Sequence, residues 1–165
     1  MRIHSLNPIS DRNSKILILG TMASVDSLKK QQFYGHSRNH LWSLLFHITG
    51  EPETEDYERR KRFLLSRGIA LYDVIKSCER PGSLDKDIKN VVVNDIPGFL
   101  DMHPNIKAVF FNGTTSMKIY DRYFERLPNI DYRLLPSSSP VPRRKIKTMQ
   151  DKIPAWSQIA DYLAD

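Results

Sequence analysis

The sequence is poor in cysteine, in long apolar runs and in acidic residues relative to basic ones. Cys78 is the only cysteine among 165 residues, so an internal disulfide and a cysteine-ligated metal cluster are excluded. The longest apolar runs, such as ILIL at 16–19, fall far short of the roughly 20 residues that span a bilayer. The opening residues, MRIHSLNPIS, lack the apolar segment of a secretory signal. These features predict a cytoplasmic protein with no membrane attachment and no metal or other cofactor.

The composition otherwise fits one basic domain. The chain has 25 Lys and Arg residues against 19 Asp and Glu residues, a formal net charge of +6, and its pI is about 9.5. This charge permits a polyanionic partner such as DNA, but a solvated basic face would give the same value. The length suits a single domain over residues 1–165, without repeats or low-complexity tracts. We expect this domain to be a monomer.

Apolar runs and helical periodicities alternate along the chain. Leucine and isoleucine residues recur at helical spacing before Gly50, which predicts a helix over 38–49 with Ser37 as its N-cap. Strands that alternate with helices indicate an α/β fold, in which helices cover both faces of a mainly parallel, four-stranded sheet. The other predicted helices cover 55–66, a short segment from 94, 114–126 and the tail from 148, and the predicted strands cover 15–19, 69–75, 106–111 and 132–135.

Two loops that follow predicted strands are rich in small and hydroxyl-bearing residues. They read GTMASVDS at 20–27 and PSSSPVPRRK at 136–145. In parallel sheets, ligands bind beyond the carboxyl ends of the strands. Loops of this composition let backbone N–H groups approach an anion or a base closely. The sequence therefore places a binding site at this edge of the sheet.

The stretch FYGHSRNHLW at 33–42 concentrates aromatic and polar side chains. His36 and His40 stand four residues apart, a spacing that zinc sites use, but no third ligand lies nearby in the sequence. Asn39 stands near the start of the predicted helix, where its amide can cap the helix or hold a substrate or a water molecule. Both alternatives remain open from these residues alone.

Five blocks in this order resemble the uracil-DNA glycosylase superfamily, and in particular its hypoxanthine-DNA glycosylase branch. The resemblance implies a three-layer α/β/α domain without an iron–sulfur cluster, which flips a damaged nucleotide out of DNA and cuts the bond between base and sugar. The blocks are LGTMAS (19–24), FYGHSRNHLW (33–42), DVIKSCERPGSLDKDI (73–88), FNGTTS (111–116) and LPSSSP (135–140).

The resemblance also assigns roles to individual residues. The loop after the first strand lacks the catalytic Asp or Asn of other branches, and the hypoxanthine branch relies instead on an asparagine that falls on Asn39. His36 and Asp85 are the other candidate catalytic residues, although each also suits a capping or solvated position. The expected contacts to the base come from Gly20, Thr21, Met22, Ala23, Phe33, Tyr34 and Ser137.

The chain departs from the family pattern in the same loops. Ala23 and Ser37 stand where the family usually has proline, and Leu135 stands where some relatives have a histidine that stabilises the leaving base. Val141 lies in the segment from which relatives insert a wedge into the base stack. The expected DNA contacts are Ser138, Ser139, Pro140, Val141, Arg143, Arg144, Lys145 and Lys147.

These observations predict an enzyme that excises a deaminated base, hypoxanthine first and uracil second, and leaves an abasic site. Water is the expected nucleophile, because no lysine stands in an apolar context that would lower its pKa. The first alternative is a catalytically inactive nucleic-acid-binding domain on the same fold. A nucleotide enzyme is disfavoured, because neither G-x-x-x-x-G-K-[ST] nor G-x-G-x-x-G occurs.

Overall fold

A computed structural model describes residues 1–163 of the chain. Strands and helices alternate through most of this length, as the sequence predicted. The strands are β1 (Arg2–His4), β2 (Ile16–Gly20), β3 (Ile69–Asp73), β4 (Ile75–Glu79), β5 (Lys89–Val93), β6 (Ala108–Asn112) and β7 (Asp131–Leu135). The helices are α1 (Val25–Lys30), α2 (Leu41–Thr49), α3 (Tyr57–Arg67), α4 (Ile96–Asp101), α5 (Thr114–Tyr123), α6 (Met149–Trp156) and α7 (Ala160–Leu163), and two short 3-10 helices cover Asp85–Asp87 and Ser157–Ile159.

The central sheet has four parallel strands in the order β3-β2-β6-β7. Alternate residues of β2 point to opposite faces, as the pleat of a strand requires. Ile16 and Ile18 pack into a core with α2, α3 and α6, whereas Leu17 and Leu19 pack into a second core with α4 and α5. The predicted α/β architecture, with helices on both faces of a parallel sheet, is therefore confirmed.

A second sheet, which the sequence did not predict, contains three antiparallel strands in the order β1-β4-β5. The predicted strand 69–75 is wrong at its end, because β3 stops at Asp73 and the chain then enters β4. Val74 N–H donates to the carbonyl of Gly20 at 2.9 Å, which ties this junction to the end of β2. The chain forms β4 here because this segment pairs with β1 and β5. Local sequence patterns do not predict pairing between distant segments.

Helix starts also differ from the predictions. The helix predicted from 38 begins at Leu41, and Ser37 is not its N-cap; Asn39 Oδ1 instead accepts a hydrogen bond from Leu41 N–H at 2.9 Å. The short helix predicted from 94 begins at Ile96 behind Asp95, whose side chain accepts from Gly98 N–H. Helix α1 was not predicted at all. It is six residues long and capped by Ser24.

Within residues 1–163, no helix is both long enough and apolar enough to cross a membrane.

Candidate active site

The carboxyl ends of the four parallel strands place two polar side chains on either side of a glycine. Gly20 at the end of β2 pairs in register with Asp73 at the end of β3. On the other side, Leu19 pairs with Phe111, so Gly20 lies level with Asn112, which in turn pairs with Leu135. Asp73 and Asn112 thus flank the one position in this row that has no side chain.

The hydroxyl of Tyr34 occupies the space above Gly20. A Cβ at Gly20 would lie 2.7 Å from Tyr34 Oη and 2.6 Å from Asp73 Oδ1, so glycine is required for this close approach. Tyr34 itself has a φ of 52°, a left-handed conformation that is rare for a bulky residue. Burial raises the pKa of the Tyr34 hydroxyl, and the nearby Asp73 raises it further. The hydroxyl therefore stays neutral.

Asn112 connects this tyrosine to the loop that follows β7. Its Nδ2 donates to Tyr34 Oη at 3.1 Å and to Ser138 Oγ at 2.9 Å. Its Oδ1 accepts from Ser138 N–H at 2.8 Å. Gly20, Tyr34, Asp73, Asn112 and Ser138 form what we call the strand-end cluster. Its hydrogen bonds fix the relative positions of three loops that are far apart in the sequence.

Ser138 has a different environment from the one that the sequence predicted. It is only 1 % exposed, and its carbonyl accepts from His40 N–H at 2.9 Å. Because its backbone and hydroxyl groups bond within the protein, the predicted phosphate contact by Ser138 does not fit this structure. Ser138 instead links the segment that carries Asn39 to the strand-end cluster.

Lys152 on α6 makes a second link between these segments. Its Nζ lies 2.9 Å from His40 Nδ1 and donates to the carbonyl of Ser139 at 2.8 Å. The residue is 3 % exposed, and burial, with a contribution from Arg143, lowers the pKa of its amine to about 8. The sequence-based statement that no lysine has such surroundings is therefore wrong. Lys152 shares the buried face of α6 with Trp156, four residues later, and that spacing was the signal available in the sequence.

Asn39 and His36 lie in the turns that precede α2. Asn39 is half-buried, and its amide nitrogen has no hydrogen-bond partner within residues 1–163. His36 Nδ1 accepts from Arg38 N–H at 3.2 Å, and its Nε2 lies 3.8 Å from Asp26 Oδ2. Asn39 is thus available to a ligand through its Nδ2, whereas both ring nitrogens of His36 face groups of the protein.

A cavity of about 220 Å³ lies between the end of β6, the start of α5 and the loop after β7. Desolvation of the Asp85 carboxyl by the surrounding protein raises its pKa, and Arg80, Thr115 and Arg143 partly offset the shift. The residue as a whole is nevertheless exposed. Four residues expected from the sequence thus line one cavity, namely Asp85, Ser137, Val141 and Arg143. Its wall also includes Asn112 and Lys152.

The loop after β2 is buried rather than open. Thr21, Met22 and Ala23 are each less than a tenth exposed, and Met22 packs into the core between the sheet and α4. Phe33 is also buried, at 3 % exposure, and Trp42 Nε1 donates to its carbonyl at 3.2 Å. A stacking role for the Phe33 ring does not fit this burial, so Tyr34 is the aromatic residue at the site.

Sequence reasoning missed Asp73 and Arg80, which are buried beside the loop after β2. Asp73 is 3 % exposed, and burial, together with the negative charge of Asp85, raises its pKa to about 7. Arg80 donates to the carbonyls of Ala23 and Gly82. Within the described chain, Asp73 Oδ2 and Arg80 Nη1 are buried without a hydrogen-bond partner. The signal for Asp73 was an acidic residue that directly ends an apolar strand.

The remaining predicted DNA-binding residues lie in an exposed segment, residues 139–147, which we call the cationic loop. Arg143, Arg144, Lys145 and Lys147 are all exposed there. Val141 is 55 % exposed and lies one residue after Pro140. Ser139 Oγ accepts from Val141 N–H at 3.3 Å. Of these side chains, Val141 and Arg143 line the cavity, whereas Arg144, Lys145 and Lys147 are exposed in the same loop.

A sequence profile of the uracil DNA glycosylase superfamily matches residues 8–160. The chain belongs to this superfamily. It is 37 % identical to a protein of Methanosarcina barkeri named hypoxanthine DNA glycosylase, over 96 % of this chain and 98 % of that protein. It is 35 % identical to a protein of the same name from Methanosarcina acetivorans, over 87 % and 90 %.

A solved structure of the superfamily is also similar. The solution NMR structure of a candidate uracil DNA glycosylase from Methanosarcina acetivorans aligns with a TM-score of 0.85 and 33 % identity, over 99 % of each chain. The resemblance to the superfamily that the sequence suggested is therefore confirmed. The assignment to its hypoxanthine-DNA glycosylase branch is confirmed by the names of the two relatives.

Proposed function

We propose that this protein is a DNA repair glycosylase that flips out hypoxanthine, hydrolyses its N-glycosidic bond and leaves an abasic site, with uracil as a second base. Two relatives that match most of the chain carry the name hypoxanthine DNA glycosylase. The observation that carries the proposal is the link from His40 N–H to the Ser138 carbonyl at 2.9 Å. It joins the Asn39 segment to the strand-end cluster beside a cationic surface.

Cleavage of this bond places positive charge on the sugar and negative charge on the leaving base. Asn39 Nδ2 is a donor without a partner in the described structure, so it suits either the base or an attacking water molecule. Asp85 lines the cavity, and we infer that its carboxylate orients that water. The cationic loop would hold the phosphates on both sides of the flipped nucleotide.

Lys152 raises the question of an amine nucleophile. An amine with a pKa of about 8 is partly neutral near pH 7, and a neutral amine can attack the sugar. However, its Nζ bridges the His40 imidazole and the Ser139 carbonyl. These two contacts favour a positioning role for Lys152, so we retain water as the nucleophile.

The test is base release from duplexes that contain hypoxanthine, uracil, xanthine or mismatches, under single-turnover conditions with saturating enzyme. Asn39→Ala should slow the release of hypoxanthine at least about a hundredfold, the scale seen when one preorganised donor is lost. It should lower the free energy of unfolding by only about 1 kcal/mol, because only a bond at the helix start is lost. Binding to an abasic duplex should change little, since phosphate contacts lie elsewhere.

Asn129→Ala, at an exposed turn before β7, is the matched control and should release hypoxanthine at the wild-type rate. Release by Asn39→Ala within a few-fold of wild type would exclude Asn39 and leave Asp85, His36 or the backbone of 20–23 as candidates. If the wild-type protein releases no base from the panel but binds DNA, the alternative of an inactive nucleic-acid-binding domain replaces the proposal.

A further inference from the structure

His40 stands one residue after Asn39, and one of its ring nitrogens contacts a buried lysine. His40 Nδ1 lies 2.9 Å from Lys152 Nζ, whereas its Nε2 has no hydrogen-bond partner within residues 1–163. His40 is half-buried, and Lys152, which is 3 % exposed, lines the cavity. One ring nitrogen is therefore held by the protein, and the other is available to a ligand.

The lysine decides which nitrogen of the His40 ring carries the proton. With a pKa of about 8, the Lys152 amine is mostly an ammonium group at pH 7, which has three donors and no acceptor. His40 Nδ1 must therefore accept, and the ring proton must lie on Nε2. Burial and the charge of Lys152 lower the pKa of the imidazole, so the ring is neutral. Lys152 also donates to the carbonyl of Ser139 at 2.8 Å, which fixes the amine from a second side. His40 thus presents one N–H donor in a fixed orientation.

The surroundings of this donor favour an anion. Burial and the charge of Arg143 lower the pKa of the Lys152 amine, so a second cation lies near, and Arg143 lines the same cavity. His40 is also the N-cap residue of α2, whose first turn contains no acidic side chain, and the helix dipole there favours negative charge. Its ring lies between the Asn39 turn and the carbonyl of Ser139, where the cationic loop begins. The anion that DNA offers at such a place is a backbone phosphate.

We propose that His40 Nε2–H donates a hydrogen bond to a phosphate beside the flipped nucleotide, and that Lys152 is the positioning residue that holds the ring for this contact. This inference rests on the proposed function and deepens it. The contact differs in kind from those of the cationic loop, because a neutral imidazole adds a hydrogen bond without neutralising a phosphate. It fixes the position of the DNA backbone and releases no counterion.

The first test is a pair of substitutions at His40, measured at pH 7 with a duplex that carries a tetrahydrofuran abasic analogue. An asparagine side chain reaches as far as Nδ1 and can accept from Lys152, but it has no donor at the distance of Nε2. A glutamine side chain reaches that distance and retains a donor. His40→Asn should bind about tenfold more weakly than the wild type, the scale expected for a lost hydrogen bond to a charged group. His40→Gln should stay within about threefold of the wild type, and the slope of log K against log salt should be unchanged in both.

The control variant is His47→Asn, which is exposed on the same helix and should bind the duplex as tightly as the wild type. Equal affinities of His40→Asn and His40→Gln would overturn the inference, because the distal donor would then have no effect. A flatter salt slope in His40→Asn would also overturn it, since the cationic loop would have been disturbed instead. If the wild-type protein neither prefers the abasic analogue to undamaged duplex nor releases hypoxanthine, the proposed function fails and the inference fails with it.

The second test identifies the ligand of His40. Single phosphates next to the abasic analogue are replaced with methylphosphonates, which lack the negative charge. At the contacted phosphate, the replacement should weaken binding by the wild type about tenfold more than binding by His40→Asn, because the variant has already lost the hydrogen bond. At other phosphates the two losses should be additive. Additivity at every phosphate on both sides of the analogue would exclude a phosphate as the ligand.

The positioning role of Lys152 is measured on the His40 ring by NMR. Long-range ¹H–¹⁵N spectra of the wild type at pH 7 should show a proton on Nε2 and none on Nδ1, and the spectrum of His40→Asn assigns the signals. In Lys152→Met the form with a proton on Nδ1 should appear, because Nδ1 no longer has a donor. Lys152→Met should also weaken binding to the abasic duplex several-fold, but less than about twofold in the His40→Asn background.

A purely structural lysine would leave the His40 tautomer unchanged in Lys152→Met and would cause equal losses of affinity in the two backgrounds. Either result would overturn the positioning role. The wild-type spectrum and the pair of His40 variants decide the matter even if Lys152→Met does not fold. A proton on His40 Nδ1 in the wild type would contradict the assigned donor directly.

Discussion

The strand-end cluster and the cationic loop lie side by side but are held very differently. In the cluster, Asn112 alone makes three side-chain hydrogen bonds, two of them to Ser138. In the loop, Val141 is 55 % exposed, and the backbone is closed by a bond from Arg143 N–H to the Ile146 carbonyl at 2.9 Å. Chemistry on a base needs donors that are fixed in advance. Phosphate contacts depend mainly on charge and tolerate a mobile segment.

The largest effect should come from the cationic loop, through binding rather than chemistry. If Arg143, Arg144, Lys145 and Lys147 all touch phosphates, replacing them with glutamine should weaken binding to any duplex roughly a thousandfold at about 0.1 M salt. The slope of log K against log salt should flatten by about 0.9 for each phosphate that is no longer neutralised. Titration of damaged and undamaged duplexes at several salt concentrations measures both quantities.

A matched pair tests whether position or net charge causes this effect. Arg144→Gln with Lys145→Gln changes the cationic loop, whereas Arg12→Gln with Lys107→Gln removes the same charge at the amino edge of the sheet, before β2 and β6. The first pair should flatten the salt dependence more than the second. If the slope of log K against log salt is equal in the two double variants, the cationic loop does not contact DNA. The proposed difference between the loop and the strand-end cluster would then be wrong.

A substitution in the strand-end cluster should have the opposite pattern. Gly20→Ala would place a methyl group 2.6 Å from Asp73 Oδ1 and 2.7 Å from Tyr34 Oη, so one of these side chains must shift. A displacement of about 1 Å at a catalytic site can cost roughly a hundredfold in rate. Hypoxanthine release should therefore fall by about that factor in single-turnover assays, while the salt dependence of binding stays as in the wild type.

Gly82→Ala is the control for this change, because no atom lies within 4 Å of the added methyl group. It should release hypoxanthine at the wild-type rate. If Gly20→Ala also releases hypoxanthine at the wild-type rate, the close packing above Gly20 is not needed for base release. The strand-end cluster would then be only a structural network.

Local patterns predicted the frame of the fold but not the arrangement of its polar interior. The apolar runs that became β2, β3 and β6 are recognisable because a strand buried on both faces needs a nearly unbroken series of apolar residues. The edge strand β7 is mostly exposed and has only a short apolar end, Leu134 and Leu135. The second sheet was missed, because its first strand, β1, pairs with β4, a segment more than seventy residues away in the chain. No local preference encodes such a partner.

Some residues of the candidate site were likewise predictable from the sequence, and others were not. Asn39, Tyr34 and the cationic loop stand out in the sequence, because polar and aromatic residues cluster there. Asp73 and Lys152 do not, since their importance comes from burial and from partners such as Asp85 and His40. Ser138 shows the converse. A serine in a loop suggests a phosphate contact, yet its groups bond to Asn112 and His40.

Val141 tests the boundary between the two regions and should give the smallest effect. It lines the cavity but belongs to the cationic loop, so its side chain can enter the gap that a flipped nucleotide leaves. Val141→Gly should lose several-fold more activity on paired substrate than on single-stranded substrate, where no stack has to be held open. Single-turnover release from matched single- and double-stranded oligonucleotides measures this difference.

The physical basis for this difference is the free energy of base stacking. Opening one step costs a few kcal/mol, and an apolar side chain that fills the gap slows the return of the base. Val141→Thr keeps the branched shape but adds a hydroxyl, so it should lose less activity than Val141→Gly on paired substrate. Equal losses on both substrates for Val141→Gly would mean that glycine merely loosens the loop. In that case Val141 would belong, by function, with the phosphate-binding residues rather than with the base site.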